Sequence, residues 1–398
     1  RAFASSMGRR PEVGVAWVAD RHPMERSRGI TVEPSYHTCS LPDRRLTVIS
    51  VPGHHDFFAN SLVGLFQADL CVLVVPAEPR ELDACLAKGS QTRQHALASL
   101  AFGGRRMVVA VNKMDTLFNG EGEAPQAAFD DAVRRITDVL KKLGYKAKQL
   151  TFVPVVATTG DNVMRPSFAA FPWYGGPTLL GALSEAPMPA RRDDAPLRVT
   201  VDDVHRIPGV GSVLAGRVEQ GTLSVGDEVR LEPSGVQARV ATIQFHHADV
   251  REARAGDSVG LNVKLSGARP PLPERKLLRR GLVVGSLASP PAVGRAFRVQ
   301  LMMTAAYSLR QGMVPSFMVP NKTVSMRVLR IVHRLNKKTG EVEELGPQAL
   351  EGGQTGVLEV EALQPVCMET MQEGGRLSRF LIRENGVILA VGFVRERL

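Results

Sequence analysis

Between residues 46 and 156 the apolar positions fall into short runs separated by stretches with helical spacing. The runs at 46–51, 70–76, 107–111 and 152–156 are too short for core helices and rich in valine, so they read as strands. Residues 92–102 and 125–143 read as helices, the second long and amphipathic. Strands alternating with helices predict a parallel, doubly wound sheet. The pattern changes at 186–196, a proline-rich charged linker beyond which helical spacing fades. Short β-rich runs follow at 197–204, 213–218, 228–231, 238–245 and 258–263, punctuated by glycine, and evenly spaced strands of this kind predict a closed β-barrel. A second turn-rich break, Ala288-Ser289-Pro290-Pro291, opens another β-rich stretch to Leu398. The expected layout is an α/β domain over 1–188, a β-barrel over 196–288 and a second over 292–398.

Composition narrows the class. A chain of 398 residues exceeds what one hydrophobic core holds, in line with several domains. With 44% apolar and 23% charged residues, and no apolar stretch long enough to span a bilayer, it reads as a soluble globular protein. A net charge of +10 favours an anionic partner, of which RNA is the commonest for a cytosolic protein. No run of five Lys or Arg occurs, so that charge is spread over folded surface. The cysteines, Cys39, Cys71, Cys85 and Cys367, show no metal-ligand spacing, and Cys71 reads as core packing. Free thiols and no signal peptide fit a reducing compartment.

The candidate chemistry gathers at strand ends. Asn112-Lys113-Met114-Asp115 closes the run 107–111, where a parallel strand delivers functional groups at its carboxyl end. An Asp there accepts from both the ring N–H and the exocyclic amine of guanine. Adenine offers no such pair and leaves the carboxylate unpaired. Asn112 adds a base-edge contact, and the Lys113 stem can lie flat over a purine. Alone, the four residues also fit an ordinary strand-to-loop junction; their place after a core strand favours guanine. Thr31, in Arg28-Gly29-Ile30-Thr31, offers a hydroxyl for Mg²⁺. Gly53, in Pro52-Gly53-His54, offers a backbone N–H to a γ-phosphate, and His54 stands where a side chain can orient an attacking water. The phosphate-cradling pattern G-x-x-x-x-G-K-[ST] does not occur in these residues.

Together these segments resemble elongation factor 1-alpha and its translational GTPase relatives. The likeness is carried by Glu25-Arg26-Ser27-Arg28-Gly29-Ile30-Thr31, Pro52-Gly53-His54-His55-Asp56-Phe57, Gln91-Thr92-Arg93-Gln94-His95-Ala96 and Asn112-Lys113-Met114-Asp115. It continues through Gly160-Asp161-Asn162, Pro172-Trp173-Tyr174, Gly216-Arg217-Val218-Glu219, His246-His247 and Arg379-Phe380. The resemblance implies a P-loop-type GTPase domain followed by two β-barrels that together grip a tRNA-shaped ligand. It implies GTP or GDP with Mg²⁺ as cofactors, Thr31 as the metal ligand, His54 as the catalytic residue and Ile30 as part of an apolar gate beside the water. Guanine would be read by Asn112, Lys113, Met114 and Asp115, with Val156, Ala157 and Thr158 forming the last base-contacting loop. The partners it implies are the ribosome, tRNA or a tRNA-mimicking protein, and a guanine-nucleotide exchange factor, in the cytoplasm and away from membranes.

Three departures qualify that picture. Arg1 aligns after the family's phosphate loop, so the first strand, loop and helix are expected to be missing, about 30 residues or more of βαβ unit. Ser50 stands where the family has an Asp, which removes a negative charge from beside Mg²⁺ and weakens its retention. Val156 replaces the Ser that opens the last base loop, leaving a backbone N–H to reach the base oxygen. The expected function is delivery of aminoacyl-tRNA to the ribosomal A site with GTP hydrolysis. The alternatives are a rescue or termination GTPase carrying a tRNA-mimicking protein, and a non-hydrolysing adaptor, which Ser50 and Val156 favour.

Overall fold

A computed structural model describes residues 22–41, 43–102, 104, 106–117, 125–245, 248–266, 273–304, 307–320 and 322–398, with the side chain of residue 275 left aside. Its contacts divide the chain into two compact units, Arg1–Met188 and Pro189–Leu398.

In the first unit, helix α1 (Pro23–Arg28) precedes an antiparallel pair, β1 (Ser35–Ser40) and β2 (Arg45–Ser50), and then α2 (Phe58–Gln67). Next come β3 (Cys71–Pro76), α3 (Pro79–Leu86), α4 (Gln91–Ala101), β4 (Met107–Asn112), α5 (Pro125–Leu143), β5 (Leu150–Pro154) and α6 (Leu179–Glu185). Strands β3, β4 and β5 form a parallel sheet in that order. Central β4 is buried on both faces from Met107 to Val111, which is why its apolar run is unbroken rather than alternating. Its Val108 and Ala110 pack with Val153 of β5 and Ala182 of α6. The outer strand β3 leaves Val72 and Val74 exposed, and among the described residues the β1–β2 pair is not hydrogen-bonded to the parallel sheet.

Helix α2 is buried along most of its length, Phe58 and Ser61 through Gln67, so no polar stripe marks it in the sequence. It sits hard against the end of β2. A Cβ at Gly64 would lie 2.5 Å from Val51 Cγ1 and 2.8 Å from Ile49 Cγ2, so only glycine permits this approach. That seat fixes the first turn of α2, which matters for the site.

The second unit is two closed β-barrels. In the first, Arg198–Ile207, Gly211–Gln220, Ser258–Ser266, Val236–Phe245, Glu228–Glu232 and Val283–Ser286 pair in that order, and the last returns to the first. In the second, Val293–Met303, Thr355–Cys367, Lys322–Leu335, Ser316–Val319, Arg379–Glu384 and Val387–Arg397 close likewise. Closure removes the free edges that an open sheet would present. Each ring encloses its own apolar core, around Leu214 and Leu231 in one and Phe297, Phe317 and Phe380 in the other. The Arg198 guanidinium, on the first barrel, pairs with the buried Glu369 carboxylate, which follows Thr355–Cys367 of the second. Arg198 also donates to the Ser289 carbonyl at 2.8 Å, so one buried cation holds both barrels and the segment joining them. No helix of the described residues is long and apolar enough to cross a membrane.

On the second barrel, Glu359 accepts from Arg330 through both carboxylate oxygens at 2.7 Å and from Arg298 at 3.0 Å. The Arg330 hydrogen bonds, joined by Arg298, hold its carboxyl down at about 2 despite opposing desolvation. A depressed folded-state pKa adds stability that is full above the ordinary glutamate range and is lost as pH falls toward 2. Urea melts from pH 6 to pH 3 should show this decline. Glu359→Gln should flatten the slope and cost about 2 kcal/mol at neutral pH. An unchanged slope would assign the decline to other groups.

Candidate functional site

The carboxyl ends of the parallel strands form one corner. Register pairs Pro76 with Asn112 and Val111 with Pro154, so the segments after β3, β4 and β5 emerge side by side. The Val155 N–H donates to the Val111 carbonyl at 2.9 Å, carrying the pairing one residue past β5. Asn112 Oδ1 then accepts the Ala157 N–H at 3.0 Å, which ties the loop after β5 to the end of β4. Met114 is fully buried and anchors the short 3₁₀ turn Met114–Leu117, on which Asp115 is exposed. No described protein group engages the Asp115 carboxylate. A buried residue thus pins the turn and an uncommitted acid projects from it.

Lys113 adopts φ +60°, in the left-handed region, and its Nζ pairs with Glu81 of α3 at 2.9 and 3.2 Å. Val156 is buried, and its own N–H is taken by the Asp161 carbonyl at 3.2 Å. The Ala157 N–H is taken by Asn112, while Ala157 and Thr158 are themselves exposed.

A second group of residues lies around α1 and α2. Glu25 is buried, and its carboxylate accepts the backbone N–H groups of His22 at 2.8 Å, Val32 at 2.7 Å and Glu33 at 3.1 Å. Gly29 ends α1 in the left-handed region, and the chain then passes through Ile30 and Thr31, both half-buried. From α2, Asn60 Nδ2 donates to the Val32 carbonyl at 2.9 Å. The neighbouring Ser61 donates to the Pro52 carbonyl at 2.6 Å, and His95 Nε2 lies 3.0 Å from that oxygen. One turn of α2 therefore holds both the Thr31 segment and the Pro52-Gly53-His54 segment.

His54 is partly exposed, and its Nδ1 accepts the Asp56 N–H at 3.3 Å, so in the neutral ring Nε2 carries the hydrogen. Its ring stacks at 4.2 Å on His55, which pairs with Asp56 at 3.1 Å. Ser50, at the end of β2, is half-buried opposite Ser35.

Sequence reasoning assigned no role to Glu25, Asn60, Ser61, Glu81 or His95. Glu25 and His95 lie within recognised motifs, but a carboxylate that gathers three backbone donors leaves no pattern in a single sequence. His246 and His247, singled out in the first barrel, lie outside the described residues.

Comparison with known proteins follows the same three parts. The family described as the elongation factor Tu GTP binding domain matches residues 4–202, elongation factor Tu domain 2 matches 211–269, and the GTP-eEF1A C-terminal domain-like family matches 296–395. The chain is 35% identical to elongation factor 1-alpha of Cenarchaeum symbiosum over 382 residues, 96% of this chain and 85% of the relative. It is 34% identical to elongation factor 1-alpha of Entamoeba histolytica over 383 residues, 96% and 84% of the two chains. Among solved structures, translation elongation factor SelB from Methanococcus maripaludis in complex with the GTP analogue GppNHp superposes with a TM-score of 0.69 at 20% identity. That match covers 92% of this chain and 74% of the other, and it shows the shared fold.

The Glu25 carboxylate is the chief described hold on residues 32 and 33. Glu25→Ala should leave three backbone N–H groups unsatisfied and destabilise the first unit by about 2–3 kcal/mol. Amide hydrogen exchange at residues 30–33 should rise well before global unfolding, whereas uniform exchange across the unit would show that Glu25 acts elsewhere.

Proposed function

The chain belongs to the elongation factor 1-alpha and elongation factor Tu family of translational GTPases, and on that premise we propose that it binds GTP through the β4–β5 corner and delivers aminoacyl-tRNA to the ribosomal A site. The observation that carries the reading is the exposed, uncommitted Asp115 carboxylate on a turn pinned by buried Met114. Its two acceptor oxygens match the two donors on the guanine edge, and adenine would leave them unpaired. Asn112 is assigned to holding the last base loop through Ala157, with its amide nitrogen available to the base. Lys113 lays its stem over the purine while Glu81 holds its ammonium.

In this reading Thr31 and Ser50 offer ligands to Mg²⁺, while the phosphate-cradling pattern is not among these residues. The Thr31 and Ser50 hydroxyls are hard oxygen donors but carry no charge, so an ion there depends on nucleotide phosphates for its anionic ligands. Bound Mg²⁺ would supply neutralisation of charge developing on the β- and γ-phosphates. The Gly53 N–H faces the γ-phosphate position in this reading, His54 orients the attacking water through Nε2, and Ile30 screens that water. The barrels bind the tRNA, with the ribosome and a guanine-nucleotide exchange factor as further partners in the cytoplasm. The second reading, a non-hydrolysing adaptor of the same shape, is favoured by Ser50, because a hydroxyl in place of a carboxylate loosens metal retention.

Competition against a fluorescent guanine nucleotide tests the assignment. The full-length protein should bind GTP in a Mg²⁺-dependent way and exclude ATP. Asp115→Asn should weaken GTP by about 100-fold, the loss of two charge-assisted bonds, and gain affinity for xanthosine triphosphate, whose C2 carbonyl accepts from the new amide. Equal loss for every purine would remove Asp115 from base recognition.

A further inference from the structure

Two side chains converge on one backbone oxygen in the segment assigned to γ-phosphate contact. Ser61 Oγ donates to the Pro52 carbonyl at 2.6 Å, and His95 Nε2 approaches the same oxygen at 3.0 Å. Ser61 is fully buried, and the His95 ring is braced edge-on by Phe58 at 5.1 Å with its Nδ1 2.8 Å from the Gln91 carbonyl. Both ring nitrogens face carbonyls, and a neutral ring donates to only one, so the Pro52 bond belongs to the tautomer with its hydrogen on Nε2. The Ser61 hydroxyl donates to that oxygen with either His95 tautomer.

The oxygen they hold belongs to the peptide unit whose nitrogen is Gly53. That peptide is trans, so its C=O and N–H point in opposite directions and share one plane. Two donors fixing the oxygen therefore also fix the direction of the Gly53 N–H. A Cβ built at Gly53 meets nothing within 4 Å, and its φ lies outside the left-handed region. Folding of this segment therefore gives no steric reason for glycine. What the missing side chain secures is open approach to the N–H.

We propose that Ser61 and His95 are positioning residues that aim the Gly53 N–H at the γ-phosphate and so set the preference for GTP over GDP. This rests on the nucleotide site proposed above. Neither residue touches the nucleotide; both act through the Pro52–Gly53 peptide. Asn60, next to Ser61, holds the Val32 carbonyl at 2.9 Å, so the same turn of α2 carries the clamp and the tether of the Thr31 segment.

The test measures GTP and GDP affinities in parallel for the full-length wild type, Ser61→Ala, His95→Phe and His95→Gln. Ser61→Ala and His95→Phe should each lower GTP affinity about tenfold, the worth of one hydrogen bond, with GDP affinity within about twofold of wild type. His95→Gln, whose amide can still donate, should recover most of the preference. The Gly53 amide resonance should shift in the first two variants and return toward wild type in His95→Gln. Equal losses for GTP and GDP, or no loss for either, would overturn the positioning role alone. A wild-type protein that binds neither nucleotide would overturn the site on which it rests, and the role with it.

Discussion

The alignment of three parallel strands governs this molecule's first unit. Because β3, β4 and β5 run in one direction and in register, their carboxyl ends and the loops that follow lie together rather than at opposite edges. The central strand of a parallel sheet is buried on both faces, and β4 meets that demand with an unbroken apolar run. The polar residues that follow are then delivered to one place. Asn112 locks the arrangement by bonding the Ala157 N–H, and buried Met114 lets Asp115 project with no partner among the described residues. The proposed base selection would follow from this strand register.

The phosphate side depends on a different constraint, the seating of α2. Gly64 lets that helix press against Ile49 and Val51, and the seat sets where Asn60 and Ser61 point. These adjacent residues hold carbonyls from segments that are far apart in sequence, at Val32 and Pro52. Glu25 adds its own grip on residues 32 and 33. Both loops assigned to Mg²⁺ and γ-phosphate are thus fastened to the same buried helix, so a shift in one is felt by the other.

Much of this was legible in the residues, for reasons that differ by element. Helix α5 is observed over the limits read from its spacing, because a long amphipathic surface helix has a clear period. The barrels were legible because evenly spaced short strands have few other solutions, although the order in which they pair depends on tertiary contacts. Helix α2 was invisible: it is buried nearly all round, so it carries no stripe. At the site, Asn112 and Asp115 could be singled out because their chemistry is local to one turn. The Val156 N–H could not be judged, since its bond to the Asp161 carbonyl is a fact of loop conformation. Glu25 and Ser61 act on backbone groups, which every residue has and no sequence distinguishes.

Everything proposed for this corner depends on where a guanine base binds. The most direct measurement is a crystal structure of the full-length protein with GDP. The base edge should lie against the Asp115 carboxylate, with its ring N–H and exocyclic amine both donating to it and the Lys113 stem lying over the ring. A base bound elsewhere, or one that leaves the Asp115 carboxylate in solvent, would contradict it.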